Sequence, residues 1–458
     1  MHFKQFYIGC LAHASYLIGD AGQAVVVDPA RDVQMYLDEA QAHGLRIIWI
    51  LETHLHADFV SGHLDLAART GATVGIGAGA DARYEHRALR EGDEIRAGNV
   101  LLRALETPGH TPEHLSYLVF ERADDAAPWA VLTGDTLFVG DVGRVDILSS
   151  RLPVADLAGL MYDSLHGKLL KLPDATRVYP AHGAGSLCGR GIRAESWSTI
   201  GQEREMNPAL VDRGRDAFIA DVTRDVPETP IYFLHSRDTN RLGPSLEAER
   251  PLPPALSPRA AAERLVAGAV LLDARGTEAF AECHPQGALH VGLDGQYASW
   301  VGTLLGPETP IVLLVAPDRA EEAVMRLARV GYEHVIGTLE GGCEAWCAAG
   351  LPNGKLELMD LSRGVPEGWR LLDVRREPEW RSHHFGSAVH IPLSQLSERA
   401  GELDRDTPWL VTCAGGYRSA IGASLLLRAG FMRVASATGG MDTARRAGAA
   451  LVGETVVA

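Results

Sequence analysis

The chain has 458 residues, 46% of them hydrophobic and 22% charged, with a net charge of -16. That length exceeds one ordinary core and implies two to four domains of a globular protein. The acidic balance speaks against nucleic acid or an anionic membrane as partner, since both require a basic face. No window offers the ~18 to 20 apolar residues of a membrane span, and the start, Met1 to Phe6, lacks the apolar core of a signal peptide. The six cysteines form no short-spaced framework, which points to a reducing, cytoplasmic setting with thiols kept for chemistry or packing.

In chain order, 3–9, 13–19 and 24–28 read as short strands joined by small-residue turns. Asp32 is the expected N-cap of a helix running to about His43, with Gly44 as its stop. The apolar run Ile47 to Leu51 is a buried strand, and it is followed by Thr53-His54-Leu55-His56-Ala57-Asp58. Two histidines one residue apart and an aspartate two further on, at a strand end, can converge on a cation once the turn removes the strand's alternation. A helix near 62–70 and a strand at 73–77 come next, so strands alternate with single helices in a layered α/β arrangement.

Three further strands end in the same manner. Thr107-Pro108-Gly109-His110-Thr111-Pro112-Glu113-His114 follows a strand at 100–105. Thr133-Gly134-Asp135-Thr136 closes another, and Pro180-Ala181-His182-Gly183 a third. One such turn would be unremarkable; four in succession indicate a metal centre. TH-x-H-x-D, TPGHT, GDT and PAHG in this order resemble the metallo-β-lactamase superfamily over about residues 1–240. The resemblance implies an αββα sandwich and carries its ligand positions onto His54, His56, Asp58, His110, Asp135 and His182.

Hydrolytic members of that superfamily place a histidine directly after the motif aspartate, whereas Phe59 stands here. Phenylalanine cannot coordinate, and losing a ligand of the second site disfavours a two-metal hydrolase. One metal held by His54, His110 and Asp135 is a two-His, one-carboxylate facial triad, which suits ferrous iron. The chain also resembles the persulfide dioxygenase branch, through His56-Ala57-Asp58-Phe59 and the block Gly134 to Gly140 with Gly143-Arg144-Val145-Asp146. That resemblance implies one Fe(II) per chain, with His56, Asp58 and His182 orienting ligands or donating to oxygen. It also places Arg144 and Asp146 near the thiol-carrier site, with an Arg–Asp pair that merely fixes the loop as the other reading. Cys188 follows His182 closely and either faces the site or is a buried inert thiol.

Residues 237–258 hold Pro244, Pro251, Pro253, Pro254 and Pro258 and read as an interdomain connection without regular structure, placed at 241–257. Beyond it the chain repeats with a period near 100 residues: Leu271-Leu272-Asp273-Ala274-Arg275 returns as Leu371-Leu372-Asp373-Val374-Arg375, Ala288-Leu289-His290 as Ala388-Val389-His390, and Gly341-Gly342 as Gly439-Gly440. Two tandem α/β domains, 258–354 and 355–458, follow. In the second, a strand runs into Cys413-Ala414-Gly415-Gly416-Tyr417-Arg418-Ser419. Backbone N–H groups of such a loop converge, and the following helix adds positive potential, which should lower the thiol pKa and stabilise bound anionic sulfur. LLDVR, AVHIP and C-x-x-G-x-R-S resemble rhodanese domains, which implies that Cys413 carries a persulfide cradled from Ala414 to Arg418. The first copy reads Val315-Ala316-Pro317-Asp318-Arg319, without Cys or Gly, and is expected to be inactive. Its Cys283, Cys343 and Cys347 read as packing thiols.

The order of domains is similar to the fused persulfide dioxygenase–sulfurtransferases. It implies oxidation of a small persulfide such as glutathione persulfide by dioxygen to sulfite, transfer of sulfane sulfur between persulfide and sulfite or thiosulfate at Cys413, and a homo-oligomer. Two other readings stand beside it: a dinuclear zinc thioester hydrolase like glyoxalase II, and a non-catalytic sulfur carrier.

Overall fold

The computed structural model describes residues 1–148, 152–211, 213–224, 226, 228–247 and 250–453. They form two compact units, one of Met1–Pro251 with Ala328–Gly331, the other of Leu252–Leu327 with Tyr332–Ala458.

The first unit contains two six-stranded sheets. One runs in chain order through His2–Ile8, His13–Asp20, Gln23–Val27, Arg46–Leu51, Thr73–Gly77 and Arg87–Leu89. Its first three strands are antiparallel; the next two join in parallel, because the helices Gln34–Ala42 and His63–Thr70 carry the chain back between them, and Arg87–Leu89 adds in parallel after a helix-free link. The other sheet has the order Ser198–Thr199, Arg177–Pro180, Ala130–Gly134, Leu115–Phe120, Val100–Glu106, Glu94–Ala97. Alternation within the strands explains the layering. Tyr16, Ile18, Val25 and Val27 join Leu102, Tyr117, Val119 and Leu132 between the sheets, whereas Leu17, Ala24 and Val26 meet Val33, Tyr36 and Leu66 beneath the helices. A sheet buried on both faces needs apolar residues at every position, which is why Ile47 to Leu51 is an unbroken run. The helix Val154–Gly167 buries Leu157, Met161 and Leu165, and Met161 lies against the turn at Gly109. This is the αββα sandwich that the motifs imply.

Two local expectations change. The first helix starts at Gln34 with Val33 as its cap and no side-chain capping bond; a turn from the Val33 N–H to the Arg31 carbonyl leaves Asp32 outside it. The connection at 237–258 is partly regular. Its first proline is Pro244, so nothing stops the helix Ile231–Leu242 before Gly243, and Ala255–Leu256 pairs in parallel with Thr338 and Leu339.

The second unit holds the same topology twice. One five-stranded sheet has the order Ala255–Leu256, Val335–Leu339, Ile311–Leu314, Val270–Asp273, Leu289–His290; the other has Glu357–Asp360, Val434–Thr438, Trp409–Thr412, Arg370–Asp373, Val389–His390. Both are wholly parallel. Asp273 pairs with Leu314 as Asp373 pairs with Thr412, so Val315 occupies in the first copy the place of Cys413 in the second. Cys283 and Cys343 are not separate packing thiols: they are joined as a disulfide, with Cα atoms 6.3 Å apart. Their 60-residue separation hid the pairing from inspection of spacing.

Candidate active sites

Strand ends of the first unit converge as anticipated. His54 follows Arg46–Leu51, His110 lies in the turn after Val100–Glu106, Asp135 ends Ala130–Gly134, and His182 ends Arg177–Pro180. One ligand atom each from His54, His110 and Asp135 lies within 4.8 Å of the other two, and all three residues are buried. The local hydrogen bonds fix which nitrogens point inward. His110 Nδ1 is 2.7 Å from the Arg144 carbonyl, which only accepts, so Nδ1 carries the proton and Nε2 the lone pair. His54 Nδ1 is 2.9 Å from Thr53 Oγ1; that hydroxyl gives its own proton to Asp28 Oδ2 at 2.9 Å, so it accepts from Nδ1–H. His54 Nε2 and Asp135 Oδ2 are buried without a protein partner. An imidazole nitrogen and a carboxylate oxygen, buried without hydrogen bonds and converging with His110 Nε2, fit a cation. Burial, and then the neighbouring histidines, hold His54 well below the usual histidine range. Burial alone would raise Asp135, but His182 beside it outweighs this and keeps the carboxyl ionised.

His182 lies between two carboxylates, Nδ1 at 2.7 Å from Asp135 Oδ1 and Nε2 at 2.7 Å from Asp58 Oδ2. Burial works against its charge, yet the two carboxylates push it well above the usual range. His56 turns to Asp28 Oδ1 at 3.1 Å and Glu52 Oε2 at 3.4 Å. Phe59 is buried and its ring packs on His13 and His56, centroids 4.0 and 4.4 Å away. Cys188, also buried, groups with Asp58 and His182 within 4.8 Å; burial, then the Asp58 charge, raises its thiol pKa well above normal. Arg144 is enclosed: it makes paired bonds of 2.8 and 2.7 Å to Asp146 and others to the Leu187 carbonyl and Thr229. The geometry makes these residues anchors of the loop whose carbonyl orients His110.

Three contributors were not singled out from sequence. Asp28, at φ +52°, accepts from the Thr53 N–H at 2.7 Å as well as its hydroxyl. His114 accepts the Asp135 N–H on Nε2 at 3.0 Å, and burial, then His110, push its pKa down to about 3. It also requires Gly134, at φ +52°, where a Cβ would lie 2.4 Å from His114 Nε2. His13 is buried with neither ring nitrogen hydrogen-bonded. The position of His114 in the quoted turn, and of Asp28 at a strand end, were the available signals.

In the second unit, Cys413 is buried at the end of Trp409–Thr412, and the Gly416 N–H donates to its Sγ at 3.1 Å. Gly416, at φ +107°, caps the twelve-residue helix Tyr417–Arg428, so Ala414 and Gly415 complete a tight turn beneath the sulfur. Arg418 makes two 2.7 Å bonds to Glu379, a residue sequence inspection missed. Burial opposes ionisation of Glu379, but Arg418 holds its carboxyl below the usual range. Tyr417 reaches into the first copy, donating to the Gly292 carbonyl at 2.7 Å, and its ring fills the space where a Cβ on Gly295 would stand, 2.4 Å away.

A model described as the metallo-beta-lactamase superfamily matches residues 8–182, and one described as the rhodanese-like domain matches 257–349 and 357–446. The chain is 30% identical over 208 residues to persulfide dioxygenase ETHE1, mitochondrial, of Homo sapiens, covering 43% of this chain and 70% of that protein. It is 39% identical over 168 residues to a hydroxyacylglutathione hydrolase of Methylococcus capsulatus, covering 35% of this chain and 58% of that protein. A crystal structure titled as a metallo-beta-lactamase from Staphylococcus aureus matches with a TM-score of 0.66 and 32% identity, over 74% of this chain and 98% of that one.

Proposed function

This chain belongs to the metallo-beta-lactamase superfamily, with two rhodanese-like domains fused behind the metal-site domain, and from that premise we propose that it is a persulfide dioxygenase joined to a sulfurtransferase. The observation that carries the reading is the trio His54, His110 and Asp135 beside a buried phenylalanine where a further imidazole would complete a second site. The reaction is RSSH + O2 + H2O to RSH, sulfite and two protons. Fe(II), one per chain and held by those three residues, would supply the redox chemistry that couples dioxygen to the terminal sulfur. The chain's own residues do the rest. Arg144 O and Thr53 fix the two imidazoles, and His182 holds a proton between Asp135 Oδ1 and Asp58 Oδ2. At the other site Cys413, as a persulfide under the Gly416 N–H, hands its outer sulfur to sulfite, giving thiosulfate and a free thiolate. The reverse direction uses the same groups. The substrates are small-molecule, with a low-molecular-weight thiol such as glutathione or coenzyme A as carrier, the location is the cytoplasm, and the assembly is a homo-oligomer. Among the described residues no helix is long and apolar enough to cross a membrane.

Oxygen uptake with glutathione persulfide, with sulfite and thiosulfate measured, tests this. His110→Ala abolishes uptake; Cys413→Ser keeps it but loses sulfur transfer. Uptake unaltered in His110→Ala refutes the dioxygenase. One observation favours a second reading, a dinuclear zinc thioester hydrolase: Asp58, His182 and Cys188 make another buried donor trio. Two zinc ions per chain with thioester hydrolysis would establish it; one iron with oxygen uptake rejects it.

A further inference from the structure

Three of the six cysteines meet in the first rhodanese-like copy, far from either site described above in sequence and without a role in them. Cys283 ends the helix Thr277–Glu282, and Cys343 and Cys347 stand one turn apart on Gly342–Ala348. Their sulfurs all lie within 4.8 Å of one another, with Cys347 Sγ 3.4 Å from Cys283 Sγ. The backbone on both sides is held: Arg275, paired with Asp273, donates to the Cys283 carbonyl at 2.7 Å, and Trp346 donates to the Pro352 carbonyl at 2.8 Å.

The repeat supplies an internal control. Aligned on Asp273 with Asp373 and on Gly342 with Gly440, the second copy has His383, Met441 and Arg445 at these places, although its helix Gly440–Arg446 starts from the same left-handed glycine cap. The fold therefore does not require thiols here. A disulfide alone would need two of them, not three. A third thiol poised for exchange would enter along the S–S axis, which would set the outer sulfurs about 5.5 Å apart. Instead the three form a compact triangle.

We propose that Cys283, Cys343 and Cys347 form a trithiolate site for a thiophilic d10 cation, Zn²⁺ or Cu⁺. Thiolates select these ions over harder ones. The cation and the Cys283–Cys343 disulfide are alternatives, since both need the same two sulfurs. Opening the disulfide takes two electrons and two protons from a dithiol, which leaves as its own disulfide. Cation binding then releases three thiol protons. The site is thus loaded only under reducing conditions, and it is independent of the dioxygenase reading.

The test is an anaerobic titration of the full-length protein, before and after phosphine reduction, with Co²⁺ as an optical probe and with Zn²⁺ and Cu⁺ in competition against chromophoric chelators. Reduction is expected to add one equivalent of binding with a sulfur-to-cobalt charge-transfer band. Cys347→Ser, a surface change outside the disulfide, weakens that binding at least tenfold, while Cys188→Ser and Cys413→Ser leave the band in place. Displacement by Zn²⁺ or by Cu⁺ identifies the preferred ion. No added equivalent on reduction, or a band that survives Cys347→Ser unweakened, overturns the site.

Discussion

Gly440→Ala probes the cradle of Cys413 from behind. Gly440 sits at φ +52°, and a Cβ there would stand 2.3 Å from the Cys413 carbonyl oxygen and 2.5 Å from that of Ala414. Both oxygens are fixed, accepting from the Met441 and Asp442 N–H groups at 2.7 and 3.1 Å, so relief must come from moving the loop itself. The left-handed backbone costs an alanine about 1–2 kcal/mol, and forced overpacking adds about 1–3 kcal/mol. Gly448→Ala separates the two effects, because Gly448 is at φ +80° with nothing within 4 Å of its Cβ position. It should carry the backbone strain alone. At roughly 2–4 °C per kcal/mol for a unit of this size, Gly440→Ala should melt about 5 °C below Gly448→Ala in calorimetry. Thiosulfate-to-cyanide sulfur transfer should fall tenfold or more in Gly440→Ala and stay near wild type in Gly448→Ala, with oxygen uptake unchanged in both. Equal melting and equal transfer in the two variants would refute the reasoning.

Phe59→His should raise the bound metal from one ion toward two per chain by elemental analysis, at a cost of about 1–3 kcal/mol for the ring stacking it removes. Asp28→Asn weakens the acceptor that fixes Thr53 and His56, and metal affinity should drop about 10–100-fold in chelator competition. The Glu379–Arg418 pair gives a signed pH effect. The folded carboxyl is depressed, so its stabilisation is fully present above the ordinary value of 4.5 and lost as pH falls through the folded one. The melting difference between wild type and Glu379→Gln should therefore be constant above about pH 4.5 and shrink below it.

The strand-end clusters were legible because each candidate residue lies within four residues of the end of a strand, so period and chemistry coincide at His54, His110, Asp135, His182 and Cys413. The twofold repeat was legible from short, nearly identical words that return at a spacing of about 100 residues. What escaped depends on contacts made across the fold. Asp28 acts through Thr53, 25 positions away, and Glu379 meets Arg418 across 39. Arg144 could be read either as an anion receptor or as part of an Arg–Asp pair fixing the loop, because its further partner Thr229 is 85 residues on. Asp32 had the right chemistry for a cap but sits one residue before the actual cap, Val33.

Tyr417 ties the Cys413 loop to a neighbour that has Val315 in the place of the cysteine. A chain trimmed to 355–458 would leave that phenol without the Gly292 carbonyl and its ring without the Gly295 hollow. On the function proposed above, the first copy is thus a brace rather than a spare, since its Gly292 and Gly295 seat the ring that follows the Cys413 turn.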